Sequence, residues 1–189
     1  ATAGHDLDAL REKARQPEFQ AFELEGIRFN ADLEVDITTF DSQNVLGLIP
    51  GSARPEEVIM ASAHWDAYGI GAPDEQGRTV RAGANDDALG SAGILEIARV
   101  IKAAPALERS VLLAFWTAEE AGLVGSMAYA ADPIFPIEKT VANFTLDILQ
   151  TAGAANDVIL VGKGQSELED DLDRVAKAAG RYVTEENLP

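Results

Sequence analysis

Residues 58–66 read Val-Ile-Met-Ala-Ser-Ala-His-Trp-Asp: six apolar or small residues in a row, then an imidazole and a carboxylate. A short, nearly continuous apolar run suits a central strand covered on both faces, and the abrupt polar ending marks where that strand leaves the sheet. Three further runs have the same character: Val111–Trp116, Val141–Leu146 and Val158–Val161. Between them lie helical stretches. Ser91–Ala103 places Ile94, Ile97, Ala98 and Ile101 on one face, with Pro105 just beyond. Ser126–Ala131 is a weaker, alanine-rich helix. Ser166–Ala179 carries a capping box (Ser166, Glu169), a stripe of Leu168, Leu172, Val175 and Ala179, and Gly180 as its stop. Arg181–Thr184 follows as a short strand.

Upstream the periodicity is different. From Ile27 to Ile37 apolar residues alternate with polar ones, which predicts a half-buried antiparallel strand. Asn44–Ile49 predicts a second strand, closed by Pro50-Gly51. Asp6 or Asp8 can cap a short helix that Pro17 ends. An antiparallel start followed by alternating strands and helices predicts a three-layer α/β/α fold with a mixed, mostly parallel central sheet. The expected organisation is one truncated domain over residues 1–189. Residues 1–42 supply the N-terminal helix and antiparallel strand, and residues 43–189 the core.

Composition narrows the function. The 189 residues hold 32 acids against 15 bases, a net charge of −17, with 47% hydrophobic residues. That surface repels phosphate backbones and anionic lipid, so nucleic-acid and membrane-surface partners are excluded as expectations. No apolar run approaches the ~20 residues of a membrane span. With no cysteine, thiol catalysis, disulfide scaffolds and thiolate zinc sites are ruled out. No basic segment leads into an apolar stretch at the start, so no signal peptide is expected in this chain, which reads as cytoplasmic or as a mature or trimmed form. Only two histidines occur, His5 and His64.

Four polar clusters stand at the ends of the predicted central elements: His64-Trp65-Asp66, the run Gly83–Gly90 (GANDDALG), Glu119-Glu120-Ala121-Gly122, and Asp147. The first three have unremarkable readings by themselves, whereas Asp147 ends an apolar strand and is harder to dismiss. A His-x-Asp pair is commonly just hydrogen-bonded, Asp86-Asp87 would cap a helix, and Glu119-Glu120 would be a solvated helix start. Together they bring one imidazole and several carboxylates to the carboxyl edge of one sheet, where ligands bind in open α/β folds. Like charges so placed oppose folding unless cations neutralise them. Nitrogen and oxygen donors without sulfur suit Zn, Mn or Co.

HWD, GANDDALGSAG, TAEEAGLVGS and the strand ending in Asp147 resemble, in order and spacing, the co-catalytic zinc exopeptidases. These are the secreted bacterial leucyl aminopeptidases and their relatives in the glutamate carboxypeptidase and transferrin receptor branch. The resemblance runs from about Gln43 to Val161, and HWDAYGIGAPDEQGR looks like a bacterial aminopeptidase subgroup. It implies that His64 binds one metal with Asp66 orienting its ring, that Asp86 bridges two metals, and that Asp87 is structural beside a cis peptide. It further implies Glu119 as general base, Glu120 as ligand of the second metal, and Asp147 as the remaining ligand of the first. The implied cofactor is Zn2+, two per complete site, and the implied substrate a peptide with a free N-terminus. Secretion or a periplasmic location also follows from the resemblance, whereas the oligomeric state does not.

One feature departs from the family pattern, which needs a second histidine after the Asp147 position. None follows here, and His5 stands at the opposite end of the chain order. The expectation is therefore a fragment that holds at most the His64/Asp86/Asp147 well and is weak or inactive. The rival readings are a non-catalytic binding module on the same fold, a carboxypeptidase, and a single-zinc glutaminyl cyclase.

Overall fold

The computed structural model describes residues 4–23, 26, 28 and 30–186. It divides after Phe40 into two compact units.

In the first unit, α1 (Leu7–Ala14) starts where Asp6 accepts hydrogen bonds from the Asp8 and Ala9 amides at 2.9 and 3.3 Å. None of its residues is buried, so its Leu7–Leu10–Ala14 stripe lacks the packing that the spacing predicts. The antiparallel strand expected over Ile27–Ile37 is not borne out. Ile27 and Phe29 lie outside the described residues, and residues 30–37 form no strand. Leu33, Val35 and Ile37 stand 70–85% exposed. Alternation records a face that wants covering, but a strand also needs an edge to pair with, and the described residues of this unit contain no other strand.

The second unit is built on a four-stranded sheet. Its strands are β1 (Val45–Ile49), β2 (Arg54–His64), β5 (Arg109–Trp116) and β6 (Thr140–Thr145), in the order β1-β5-β2-β6. β1 is antiparallel to β5, while β2 runs parallel to both β5 and β6. One face buries Val58, Met60, Leu112, Ala114 and Trp116 with Tyr129 from α3 (Val124–Ala131). The other buries Ala61, Ala63, Val111 and Leu113 with Ile94 from α2 (Leu89–Ala103). Successive strand residues point to opposite faces, so a run that is apolar throughout needs a helix on each side. The result is the three-layer α/β/α arrangement with a mixed, mostly parallel sheet. A two-stranded hairpin of β3 (Gly69–Ile70) and β4 (Val80–Arg81) follows the first polar cluster.

Two strand expectations change place. Val58–Ala63 and Val111–Trp116 are central, but β6 forms an edge among the described residues, with Val141 and Phe144 about half exposed. The run Val158–Val161 does not join this sheet at all. It lies in β7 (Asp157–Val161), paired in parallel with β8 (Tyr182–Glu186) across α4 (Leu168–Ala178). An apolar run records that two faces can be covered, not which strand stands alongside. α4 itself starts as its sequence requires: the Ser166 hydroxyl accepts from the Leu168 amide, and Glu169 accepts from the Ser166 amide.

Candidate metal centre

Strand register brings the polar clusters together. Ala63 and His64 lie beside Phe115 and Trp116, so β5 exits the sheet into Thr117–Glu120 level with Trp65 and Asp66. Ser62 lies beside Thr145, which leaves Asp147 level with His64. The turn Ala84–Ala88 then enters α2 from the same edge, with non-helical backbone at Asp86 and Asp87 and a cis peptide between them.

His64 is the hub, and it is 2% exposed. Its Nε2 lies 2.9 Å from Asp86 Oδ1, 3.9 Å from Glu119 Oε2 and 3.9 Å from Asp147 Oδ1. Its Nδ1 lies 3.1 Å from the Asp66 carbonyl oxygen and 3.5 Å from that residue's carboxylate. The Asp66 carboxylate makes its own hydrogen bonds elsewhere. Oδ1 accepts from the Glu119 amide at 3.0 Å and Oδ2 from the Glu120 amide at 3.2 Å. One side chain thus holds both backbone N–H groups of the Glu119-Glu120 turn while its main chain steers the imidazole.

Asp87 is 1% exposed and lies within 4.8 Å of ligand atoms of His64 and Asp147, so distance alone makes it a further candidate donor. Its oxygens are otherwise engaged. Oδ2 accepts from the His64 amide and Oδ1 from the Gly90 amide, each at 3.0 Å. The Ser91 hydroxyl adds a bond to the His64 carbonyl at 2.9 Å. Asp87 therefore ties the end of β2 to the start of α2, and the neighbouring Asp86 is the carboxylate that faces Nε2. Gly90 is required at this junction, because a Cβ there would collide with the Asp87 carboxylate.

The electrostatics are those of a site short of positive charge. Burial pushes the Glu119 carboxyl up; the His64 charge opposes this, and Asp147, Glu120 and Asp66 reinforce it. Burial likewise raises Asp87. For His64, burial favours the neutral ring, but the hydrogen bond to Asp86 and the charges of Asp87, Glu119 and Asp66 prevail and raise its pKa. Glu120 Oε1 is buried without any hydrogen-bond partner. An unsatisfied buried carboxylate oxygen is costly, and a divalent cation would satisfy it. The ligand atoms of His64, Asp87 and Asp147 lie within 4.8 Å of one another, and with Asp86 against Nε2 and the unpartnered Glu120 oxygen the site offers the nitrogen and oxygen donors that suit a metal such as zinc.

Asp86, Glu119 and Asp147 each approach His64 Nε2, at 2.9, 3.9 and 3.9 Å, and Asp66 after β2 binds the amides of the Glu119-Glu120 turn. His5 belongs to the other unit, where its ring packs on Phe22 at 5.3 Å. Two participants went unnoticed in the sequence. Tyr68 is one: the neighbouring Glu120 carboxylate raises its phenol pKa. Asn44 bonds both ends of the loop after β5. Tyr68 stands inside HWDAYGIGAPDEQGR without a signal of its own there, and Asn44 is more than 70 residues from its partners in the chain. A pocket of about 310 Å³ opens beside the hub, lined by His64, Glu119 and Asp147 at one end and by Met60, Trp116 and Tyr129 beneath.

The chain is similar to proteins of known family. Rat aminopeptidase NAALADL1 is 32% identical over 139 residues, covering 67% of this chain and 17% of that protein. Human carboxypeptidase Q is 31% identical over 133 residues, covering 68% of this chain and 25% of its own length. The crystal structure of Porphyromonas gingivalis glutaminyl cyclase shares the fold, with a TM-score of 0.62 at 22% identity over 77% of this chain and 56% of that one. The chain thus spans about a quarter or less of the two curated relatives. The family model described as Peptidase family M28 matches residues 44–189, which include every residue of the cluster. The chain belongs to peptidase family M28.

Proposed function

We propose that this chain carries the catalytic core of a metal-dependent exopeptidase of the aminopeptidase type. The observation that supports it is the convergence of Asp86, Glu119 and Asp147 on His64 Nε2, at 2.9, 3.9 and 3.9 Å. His64, Asp86 and Asp147 would hold one zinc ion; Asp86 and Glu120 would contribute to a second in the parent protein. A bound metal pair supplies Lewis acidity, polarising the scissile carbonyl and acidifying water. The chain's own groups supply the rest. Glu119, placed near the hub but without a hydrogen bond to the imidazole, takes a proton from the attacking water and passes it to the departing amine. Its raised pKa brings the carboxylate closer to a useful base at neutral pH. Asp66 keeps Glu119 and Glu120 pointing in different directions by fixing both of their amides.

The charged groups on the pocket wall are His64, Glu119 and Asp147. That anionic rim attracts a protonated α-amino group and repels a terminal carboxylate, which favours aminopeptidase over carboxypeptidase action. The parent protein is read as secreted or periplasmic, and residues 43–189 as the core of one peptidase domain.

The test combines binding with turnover. Zn2+ titrated into the metal-free chain by calorimetry binds the wild type, and the Glu119→Gln variant retains that binding. In the parent protein, hydrolysis of leucyl-p-nitroanilide at saturating Zn2+ falls about 10²–10⁴-fold in the same variant. Absence of Zn2+ binding, or unchanged turnover without Glu119, overturns the reading. Faster cleavage of N-blocked dipeptides than of free-amine substrates moves the assignment to a carboxypeptidase.

A further inference from the structure

The loop bearing Glu119 and Glu120 is closed at its neck by a side chain from outside all four motifs. Asn44 stands immediately before β1. Its Oδ1 accepts from the Thr117 amide at 3.1 Å, and its Nδ2 donates to the Gly125 carbonyl at 2.8 Å. Thr117 is the first residue after β5, and Gly125 is the second residue of α3. One planar amide therefore spans both ends of residues 117–125. The neck is tightened further by the Gly125 amide donating to the Thr117 carbonyl at 3.0 Å and by the Ser42 and Thr117 hydroxyls 2.5 Å apart. A Cβ at Gly125 would strike both Asn44 Oδ1 and the Thr117 carbonyl, so the clamp and the glycine require each other.

The loop needs such a closure. Ala118 and Leu123 both sit in the left-handed region, at φ 51° and 62°, where residues with a Cβ do not stay unless their surroundings hold them. Asp66 secures the middle of the loop, and Asn44 secures its ends.

We infer that Asn44 is a positioning residue for the Glu119-Glu120 turn, acting through the loop neck and touching neither metal nor substrate. The inference rests on the metal-peptidase reading for its consequence, and on the two hydrogen bonds for its mechanism. The chemistry is specific to asparagine. Aspartate of the same length lacks the donor for Gly125, and alanine lacks both groups.

Amide hydrogen exchange in the metal-free full chain reads the clamp directly, and Zn2+ affinity reads its effect. Asn44→Ala is expected to speed exchange at Glu119 and Glu120 about tenfold or more and to weaken Zn2+ binding about 10–100-fold. Asn44→Asp, which keeps only the acceptor, falls between that variant and wild type. Val58→Ala is the control: it cuts into the fully buried core of β2, six residues and ~20 Å of strand from His64. At a matched loss of overall stability it leaves both readouts unchanged. The inference is overturned if Asn44→Ala and Val58→Ala alter loop exchange equally, or if exchange quickens while Zn2+ affinity stays the same. A wild-type chain that binds no Zn2+ removes the metal reading. The exchange comparison alone then supports or overturns the clamp.

Discussion

Both edges of the central sheet are crowded with charge, and the two crowds are resolved in opposite ways. At the amino edge two carboxylates, Glu57 and Glu108, are each paired with a guanidinium. Glu57 Oε2 accepts from Arg109 Nε at 2.6 Å, and Glu108 accepts from Arg54 at 2.5 Å. The hydrogen bond from Arg109 holds the Glu57 carboxyl below its ordinary value despite the opposing cost of burial. At the carboxyl edge Asp86, Glu119 and Asp147 share a single imidazole, and Glu119 is pushed up rather than down. Charge balanced within the chain needs nothing from outside it. Charge left unbalanced at the mouth of a pocket is a standing demand for a cation, and this difference, not the number of acids, separates a structural ion-pair edge from a functional one.

The hardest way to break the contrast is to remove the hub. His64→Ala leaves three carboxylates with no nitrogen donor, and Zn2+ affinity should fall by more than about a hundredfold in a calorimetric titration. An unchanged affinity would mean that the edge binds metal elsewhere or not at all. Glu119→Gln should act differently, removing turnover but sparing metal, because only the proton carrier is lost. The metal-free form should also gain stability, by about 0.5–2 kcal/mol, as one repelling charge leaves the cluster. Thermal unfolding in EDTA checks this. A variant that unfolds earlier than wild type would show that the carboxylates of this edge are not in conflict.

A smaller effect is expected where the site joins the scaffold. Gly90→Ala forces a methyl group into the Asp87 carboxylate, which itself anchors the His64 amide. The expected loss is about 1–3 kcal/mol in chemical denaturation, with Zn2+ affinity falling alongside as the end of β2 shifts. The same substitution at Gly71, where a Cβ meets nothing, should change neither.

The parts of this arrangement legible in the sequence share a physical reason. Apolar runs with sharp polar endings reported two-sided burial and the strand exit at once, so β2, β5 and the cluster from His64 to Asp147 could be read from spacing. Helix starts were readable for the same local reason, as at Asp6 and Ser166. Pairing was not. Val158–Val161 looks as central as Val58–Ala63, yet it pairs with β8, because neighbour choice depends on contacts that no local pattern encodes. The alternation before Ile37 misled for a related reason: a strand-like face without a partner strand in its unit stays irregular. Asn44 escaped notice because its work is done on Thr117 and Gly125, and an asparagine ahead of an apolar strand has no signature of its own. The spacing pairs Asp66 with the His64 ring, which it meets through its carbonyl oxygen, while its two carboxylate oxygens reach the Glu119 and Glu120 amides, bonds that depend on register rather than motif.

The gentlest test uses the balanced edge. Because the folded pKa of Glu57 lies below its ordinary value of 4.5, the ionised group binds fewer protons in the native state than in the unfolded one. Stability from the Glu57–Arg109 pair is therefore complete above about pH 4.5 and is lost as pH falls through the lowered folded value. Glu57→Gln should lower the unfolding temperature slightly at neutral pH and leave it equal to wild type once the medium is acidic enough to protonate Glu57 in both states. The pair is half-buried and still reached by solvent, so the difference stays small, and added salt should shrink it further. A gap between variant and wild type that persists unchanged into strong acid would mean that Glu57 acts through packing rather than charge. The amino edge would then no longer serve as the electrostatically balanced counterpart of the site.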